Sequence, residues 1–149
     1  MTDTDTATPY GLRVLPKIYD AWTGSGMIGN IGSRLVECGR GTLVIEAELS
    51  ADRHGFPTGR GVIVHGGAIA TVADEALATV AFTLADEGEA TATASLHIDY
   101  YRPASLGKLV ARATVRHRTK RLAYCHATIE QADGQVVAEG RAVIAYVRA

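Results

Sequence analysis

Apolar residues at Leu12, Leu15, Ile18, Tyr19 and Trp22 recur at helical spacing, with Pro16 near the start, and the glycine-rich run from Gly24 to Gly32 ends the pattern. A short helix followed by a loop is predicted. Two apolar-rich runs, Arg34 to Cys38 and Thr42 to Leu49, flank Gly39-Arg40-Gly41, which is a hairpin signal. Residues 51–61 hold three glycines and a proline and read as a loop. From Gly66 to Leu84 the chain is Ala-rich, without Pro and without Gly beyond Gly67. Ile69, Val72, Ala73, Ala76, Val80 and Leu84 recur there in steps of three and four, which predicts a helix of about five turns. Its only formal charges are Asp74 and Glu75, so it is apolar on nearly every face and must be buried on several sides.

The remaining chain supplies a wrapper for that helix. Ala92 to Tyr101, Lys108 to His117, Leu122 to Gln131 and Gln135 to Val147 alternate with period two and predict four strands. Short connections at Pro103 to Gly107, Arg118 to Arg121 and Asp133-Gly134 suit antiparallel neighbours. The order is helix, two strands, long buried helix, four strands. This predicts one α+β domain over residues 12–149, preceded by a polar, Thr-rich tail at 1–11 that is expected to be disordered.

Composition narrows the partners. The 149 residues include 15 basic and 16 acidic side chains, for a formal charge of −1, and 47% are hydrophobic. A chain of this size can bury a core without disulfides or metal. Balanced charge argues against nucleic-acid binding by bulk phosphate attraction and against a polybasic membrane binder, so any anionic ligand must be held by a local site. Cys38 and Cys125 form no CxxC pair and predict reduced thiols in the cytoplasm. The N-terminus carries acids where a signal peptide needs basic residues, and no apolar segment approaches the ~18 residues of a membrane span. The five histidines show no HxH or HxxxH spacing, so no metal is expected. Without GxGxxG, GxxxxGK or GxSxG, the common nucleotide and serine-hydrolase readings fall away, and no redox cofactor is implied.

His65-Gly66-Gly67 sits where the glycine-rich loop turns into the buried helix. Glycines there let a ligand approach the backbone, and the first N–H groups of a helix lack internal partners, so they can donate to a developing oxyanion. The same glycines would also serve tight packing at a helix start. Asp74 follows His65 by nine residues and falls at the edge of the apolar stripe, while Glu75 points elsewhere, nearer Thr71 and Ala78. A carboxylate in so apolar a helix must be paired, solvated by a cleft or protonated, which makes it a site candidate; an ordinary solvent-facing edge is the alternative.

The stretch VHGGAIATVADEA at Val64 to Ala76, TASLHIDYYRPA at Thr93 to Ala104 and the closing run DGQVVAEGRA together resemble the hotdog-fold acyl-CoA thioesterases, in particular those like the phenylacetate-pathway thioesterase. The resemblance covers about residues 33–147. It implies an antiparallel sheet wrapped around one long central helix, and hydrolysis of an acyl-CoA thioester to the free acid and coenzyme A. By position, Asp74 matches the family's catalytic carboxylate, acting as nucleophile or as general base. Gly67 matches the backbone donor to the thioester carbonyl, and His65 the residue that orders this loop. Thr93 matches the Ser or Thr that helps place the attacking water from the neighbouring subunit. Gly66, Arg60, Arg102, Arg118, Lys120 and Arg121 are candidates for binding the substrate and its phosphates, since basic side chains at a cleft mouth suit phosphate. Basic residues that blunt a sheet edge would look the same.

The loop before His-Gly-Gly departs from the family. An Asn usually stands there, whereas this loop reads Phe56-Pro57-Thr58-Gly59, and the only Asn of the chain, Asn30, lies in another segment. That departure favours a second reading, a hotdog protein that binds acyl-CoA or a hydrophobic ligand without cleaving it. A third, an acyl-CoA dehydratase using His54 or His65 with Glu75, lacks its usual spacing. Coenzyme A belongs to the substrate, so no separate cofactor is expected. The partners implied are a small acyl-CoA molecule and further copies of the chain, as homodimer or homotetramer with sites at the dimer interface.

Overall fold

The computed structural model describes residues 8–149. The chain runs α1 (Tyr10–Trp22), α2 (Gly26–Asn30), β1 (Arg34–Gly39), β2 (Thr42–Leu49), α3 (Ala51–His54), β3 (Gly55–Thr58), β4 (Gly61–Val64), α4 (Gly66–Phe82), β5 (Glu89–Tyr100), β6 (Gly107–Arg118), β7 (Leu122–Gln131) and β8 (Val136–Arg148). α4 is the long apolar helix, and its Ala-rich sequence contributes small side chains that let a sheet close around it. Val72, Ala73, Ala76, Leu77, Val80 and Ala81 are all fully buried. The end of the helix is closed by Thr83, whose hydroxyl donates to the Val80 carbonyl at 2.6 Å and accepts from the Gly41 N–H at 3.0 Å.

Six strands form one antiparallel sheet in the order β1-β2-β6-β7-β8-β5, and α4 packs against five of them. Alternation sets the register as predicted: Leu109, Ala111 and Ala113 of β6 point into the core, paired with Ala47, Ile45 and Leu43 of β2. At Gly140 of β8 helix and sheet pack tightly, since a Cβ there would meet the side chains of Ile98 of β5 and Leu77 of α4 at 3.1 and 3.2 Å. Register shifts in β5, β6 and the β7–β8 pairing increase the local bend and help the sheet wrap. Between β7 and β8, Gly134 takes a positive φ of 87°, as the Asp133-Gly134 turn requires. This is the hotdog architecture: an α+β sheet around a central helix.

Several expectations need correction. α4 ends at Phe82, two residues short of Leu84. The expected loop over 51–61 contains the one-turn helix α3 and most of a small hairpin, in which Phe56 pairs with Ile63 and Pro57 with Val62. The glycine-rich run after α1 contains α2. Residues 1–7 of the expected tail lie outside the described residues. Tyr10 and Gly11 do not belong to a tail: α1 begins at Tyr10, and the Gly11 N–H donates to the Ala85 carbonyl at 3.0 Å, tying α1 to the end of α4. Cys38 and Cys125 are free thiols, and burial pushes the Cys125 thiol up to about 12. No helix among the described residues is long and apolar enough to cross a membrane.

Candidate active site

The start of α4 is organised by His65. Its Nδ1 accepts the Gly67 N–H at 2.8 Å and its carbonyl accepts the Ala68 N–H at 2.9 Å, so the residue caps the helix with both side chain and backbone. The Phe56 ring meets the His65 ring edge-on at 5.9 Å. Tyr100, at the end of β5, donates its hydroxyl to the Gly66 carbonyl at 2.8 Å. The Gly67 N–H, expected to be free for a ligand, is therefore engaged by the exposed His65 ring.

Two turns along the same face of α4 lies Asp74. Thr93 of β5 donates its hydroxyl to Asp74 Oδ1 at 2.7 Å. This bond lies within one chain. A register shift between Thr93 and Ser95 turns Thr93 inward, across from Ile144. Next to it, Glu75 turns toward α1 and accepts the Thr79 hydroxyl at 3.0 Å. Burial raises the Glu75 carboxyl above the ordinary glutamate range, the Asp74 charge adds to this, and hydrogen bonds from Thr79 and Tyr19 oppose it. The Tyr19 hydroxyl also bonds Ser33 at 2.6 Å, and burial raises its pKa too. Of the two half-buried carboxyls of α4, Glu75 is held in a polar network under α1 and Asp74 by Thr93, and both line a cleft.

That cleft runs along α4 beneath α2. One cavity of about 280 Å³ holds Asp74 and Glu75 against Ile28 and Leu96. A second, of about 290 Å³, holds Asn30, His54, His65 and Gly67. Met27, Ile31 and Thr71 line both, so the two form one groove linking the helix start to Asp74.

Residues 61–138 match the family model described as Thioesterase superfamily. That stretch is more than half of the chain. The protein belongs to the thioesterase superfamily. Thioester hydrolysis is the reaction class this membership carries. A thioesterase family protein from Silicibacter pomeroyi is 22% identical, with 91% of this chain and 98% of that one covered and a TM-score of 0.79. The E. coli PaaI protein from the phenylacetic acid degradation operon is 21% identical over 95% of this chain and 96% of its own, with a TM-score of 0.78. A phenylacetic acid degradation-related protein from Ralstonia eutropha is 23% identical over 91% and 98%, with a TM-score of 0.75. These likenesses carry the fold. No functionally curated protein is detectably similar in sequence.

Around this groove the predicted basic residues separate. Arg102 joins Gly66, Tyr100 and Tyr101 around a cavity of about 370 Å³ at the start of α4. Arg60 sits exposed on the β3–β4 turn, where its N–H donates to the Thr58 hydroxyl at 3.2 Å. Arg118 instead pairs with Glu89 at 3.1 Å and stacks over the Tyr146 ring at 4.1 Å, beside Leu84 and Asp86 past the far end of α4. Lys120 and Arg121 occupy the adjoining exposed turn. A helix of 17 residues at ~1.5 Å per residue puts that turn about 25 Å from His65, so within one chain these three lie at the opposite end of α4 from its start. A pairing the sequence did not reveal is Asn30 with His54: Asn30 Oδ1 lies 2.8 Å from His54 Nε2. Twenty-four residues separate them, and no spacing motif signals such a contact.

Proposed function

We propose that this thioesterase hydrolyses an acyl-CoA thioester, with Asp74 as nucleophile or general base. The observation that carries the reading is the Thr93–Asp74 bond at 2.7 Å, which presents a half-buried carboxylate on the wall of the groove leading from His65 and Gly67. As a base, Asp74 takes a proton from water, whose oxygen bonds to the thioester carbon. The oxyanion so formed is held by a backbone N–H, the C–S bond breaks, and the proton passes from Asp74 to the leaving thiolate of coenzyme A. As a nucleophile, the Asp74 carboxylate adds to the thioester carbon and the C–S bond breaks to expel the thiolate of coenzyme A; water then hydrolyses the mixed anhydride to the free acid and the Asp74 carboxylate. Neither route uses a cofactor beyond the substrate itself.

A donor on the carbonyl oxygen and a group attacking its carbon sit about 6 Å apart, given ~2.9 Å for the hydrogen bond and ~3–3.5 Å for the attack. Gly67 and Asp74 are seven residues apart on one helix, about 10 Å along its axis. This separation suits a site completed across a dimer, with Asp74 of one protomer and the partner subunit's Gly67. β5 is the surface that suits this pairing: a 12-residue edge strand, almost wholly accessible, with no Pro or Lys to block strand addition. Two such dimers give the tetramer, and the free thiols suit the cytoplasm. The substrate carbonyl displaces the His65 ring from the exposed Gly67 N–H. The same cap is what favours the second reading, a protein that holds the thioester uncleaved.

Release of free thiol from aromatic, short-chain and long-chain acyl-CoAs tests the assignment. Asp74→Asn is expected to lower turnover by on the order of 10²–10⁴-fold with the melting temperature retained. Mixed dimers of Asp74→Asn with Gly67→Pro, each inactive alone, should regain activity at the one site that keeps both groups. Turnover unchanged in Asp74→Asn would overturn the catalytic role. No turnover of any acyl-CoA by the wild type would favour the binding reading.

A further inference from the structure

His54, at the end of α3, is only 5% exposed and is held on three sides. Its Nδ1 accepts the Ser50 N–H at 2.9 Å. Its carbonyl accepts the His65 N–H at 2.7 Å, which ties it to the start of α4. Its Nε2 faces Asn30 Oδ1 at 2.8 Å. A ring nitrogen that accepts from a backbone N–H carries no proton, so in the neutral imidazole the proton sits on Nε2 and donates to the Asn30 oxygen. This fixes the orientation of the amide: with its oxygen toward His54, its NH₂ turns the other way. That amide nitrogen has no partner among the described residues. Asn30 shares its cavity with His65 and Gly67, where the backbone donor of Gly67 is already occupied by His65. The cavity thus contains one unused, oriented donor beside one that must be uncovered.

We propose that Asn30 binds the thioester carbonyl oxygen of the substrate through its amide N–H, and that His54 is its positioning residue. The inference rests on the acyl-CoA thioesterase reading. Carbonyl oxygens have two acceptor directions, so Asn30 and Gly67 can hold the same oxygen together. The donor reaches the cavity from α2 rather than from the loop before His65.

Asn30→Asp is the decisive variant, because a carboxylate still accepts the His54 Nε2–H but offers no N–H to a ligand. It should keep the wild-type melting temperature while kcat/KM falls roughly a hundredfold. Asn30→Ala removes both contacts and should lower activity and melting temperature together. Binding is read separately with two inert acyl-CoA analogues, a ketone with methylene in place of sulfur and a thioether with no acyl carbonyl. Asn30→Asp should weaken the ketone at least tenfold and leave the thioether within twofold. Wild-type kcat/KM in Asn30→Asp, with loss only in Asn30→Ala, would overturn the proposal and reduce Asn30 to an anchor for α2. Equal weakening of both analogues would also overturn it, because the contact would then lie on the pantetheine arm. Asp74→Asn measured alongside keeps the levels apart: lost turnover there with Asn30→Asp intact refutes this inference alone, and unchanged turnover there refutes the reading beneath it.

Discussion

Thr93→Val exchanges the hydroxyl that bonds Asp74 for a methyl group of similar size on the inner face of β5. The interaction removed is one O–H···O bond of 2.7 Å to a carboxylate. A hydrogen bond to a charged group contributes roughly 1.5–3 kcal/mol when water is excluded. Thr93 is exposed and Asp74 half-buried, so water takes over part of the role and about 1–1.5 kcal/mol remains. At ~1.36 kcal/mol per tenfold, that corresponds to a loss of roughly five- to twelvefold in kcat/KM. Valine suits a strand, so the melting temperature should hold. Thr93→Ser keeps the hydroxyl and should recover most of the rate. Thiol release at fixed pH, with thermal melts of each variant, reads both effects. A Thr93→Val enzyme within twofold of wild type, or a Thr93→Ser enzyme as impaired as Thr93→Val, would remove this hydroxyl from the reaction.

Two further outcomes concern the frame around the site. An alanine Cβ at Gly11 would overlap the Phe82 carbonyl oxygen, a backbone atom that cannot yield, so Gly11→Ala should lift α1 from the end of α4. Leu15 and Tyr19 are buried by that docking, and exposing one such side chain costs about 1.5–3 kcal/mol, or roughly 5–10 °C in melting temperature; an unchanged melt would show that α1 contributes little. For Glu75, burial places the folded-state pKa above the unfolded value of 4.5. The folded protein then holds the proton more tightly, so this contribution to stability is fully present below pH 4.5 and is lost as pH rises through the folded pKa. Glu75→Gln should therefore gain stability relative to wild type as melts move from pH 4.5 to 8, and a difference that does not vary with pH would refute the assignment.

Much of the fold was legible because its elements are long and bury one face. The apolar stripe from Ile69 to Val80 and the alternation from Leu109 to Val115 each span enough residues for a period to show. α2, α3 and each strand of the β3–β4 hairpin have four or five residues, too few for any period, and they sit among glycines that read as loop. Their conformations come from tertiary contacts, as where His54 ties α3 to the start of α4. The site divides in the same way. Asp74, His65 and Gly67 lie on one continuous element, so their spacing could be read directly. Asn30 could not be found, because its contact with His54 depends on how two glycine-flanked segments fold over α4. Arg118 stood in a run of basic residues, and only packing against Tyr146 and Glu89 reveals that it braces the sheet.

The single extra residue in β5 divides that strand into two phases. Thr91 and Thr93 face inward before Ala94, and Leu96, Ile98 and Tyr100 face inward after it. Loss of Ala94 would make the pairing regular and leave Thr93, Leu96, Ile98 and Tyr100 opposite Ile144, Ala142, Gly140 and Ala138, so both halves would keep their inward face and only the local bend of the strand would go. In comparing relatives, a one-residue gap at this position therefore preserves which residues face α4, whereas a gap of one residue elsewhere in β5 reverses the facing of everything on one side of it.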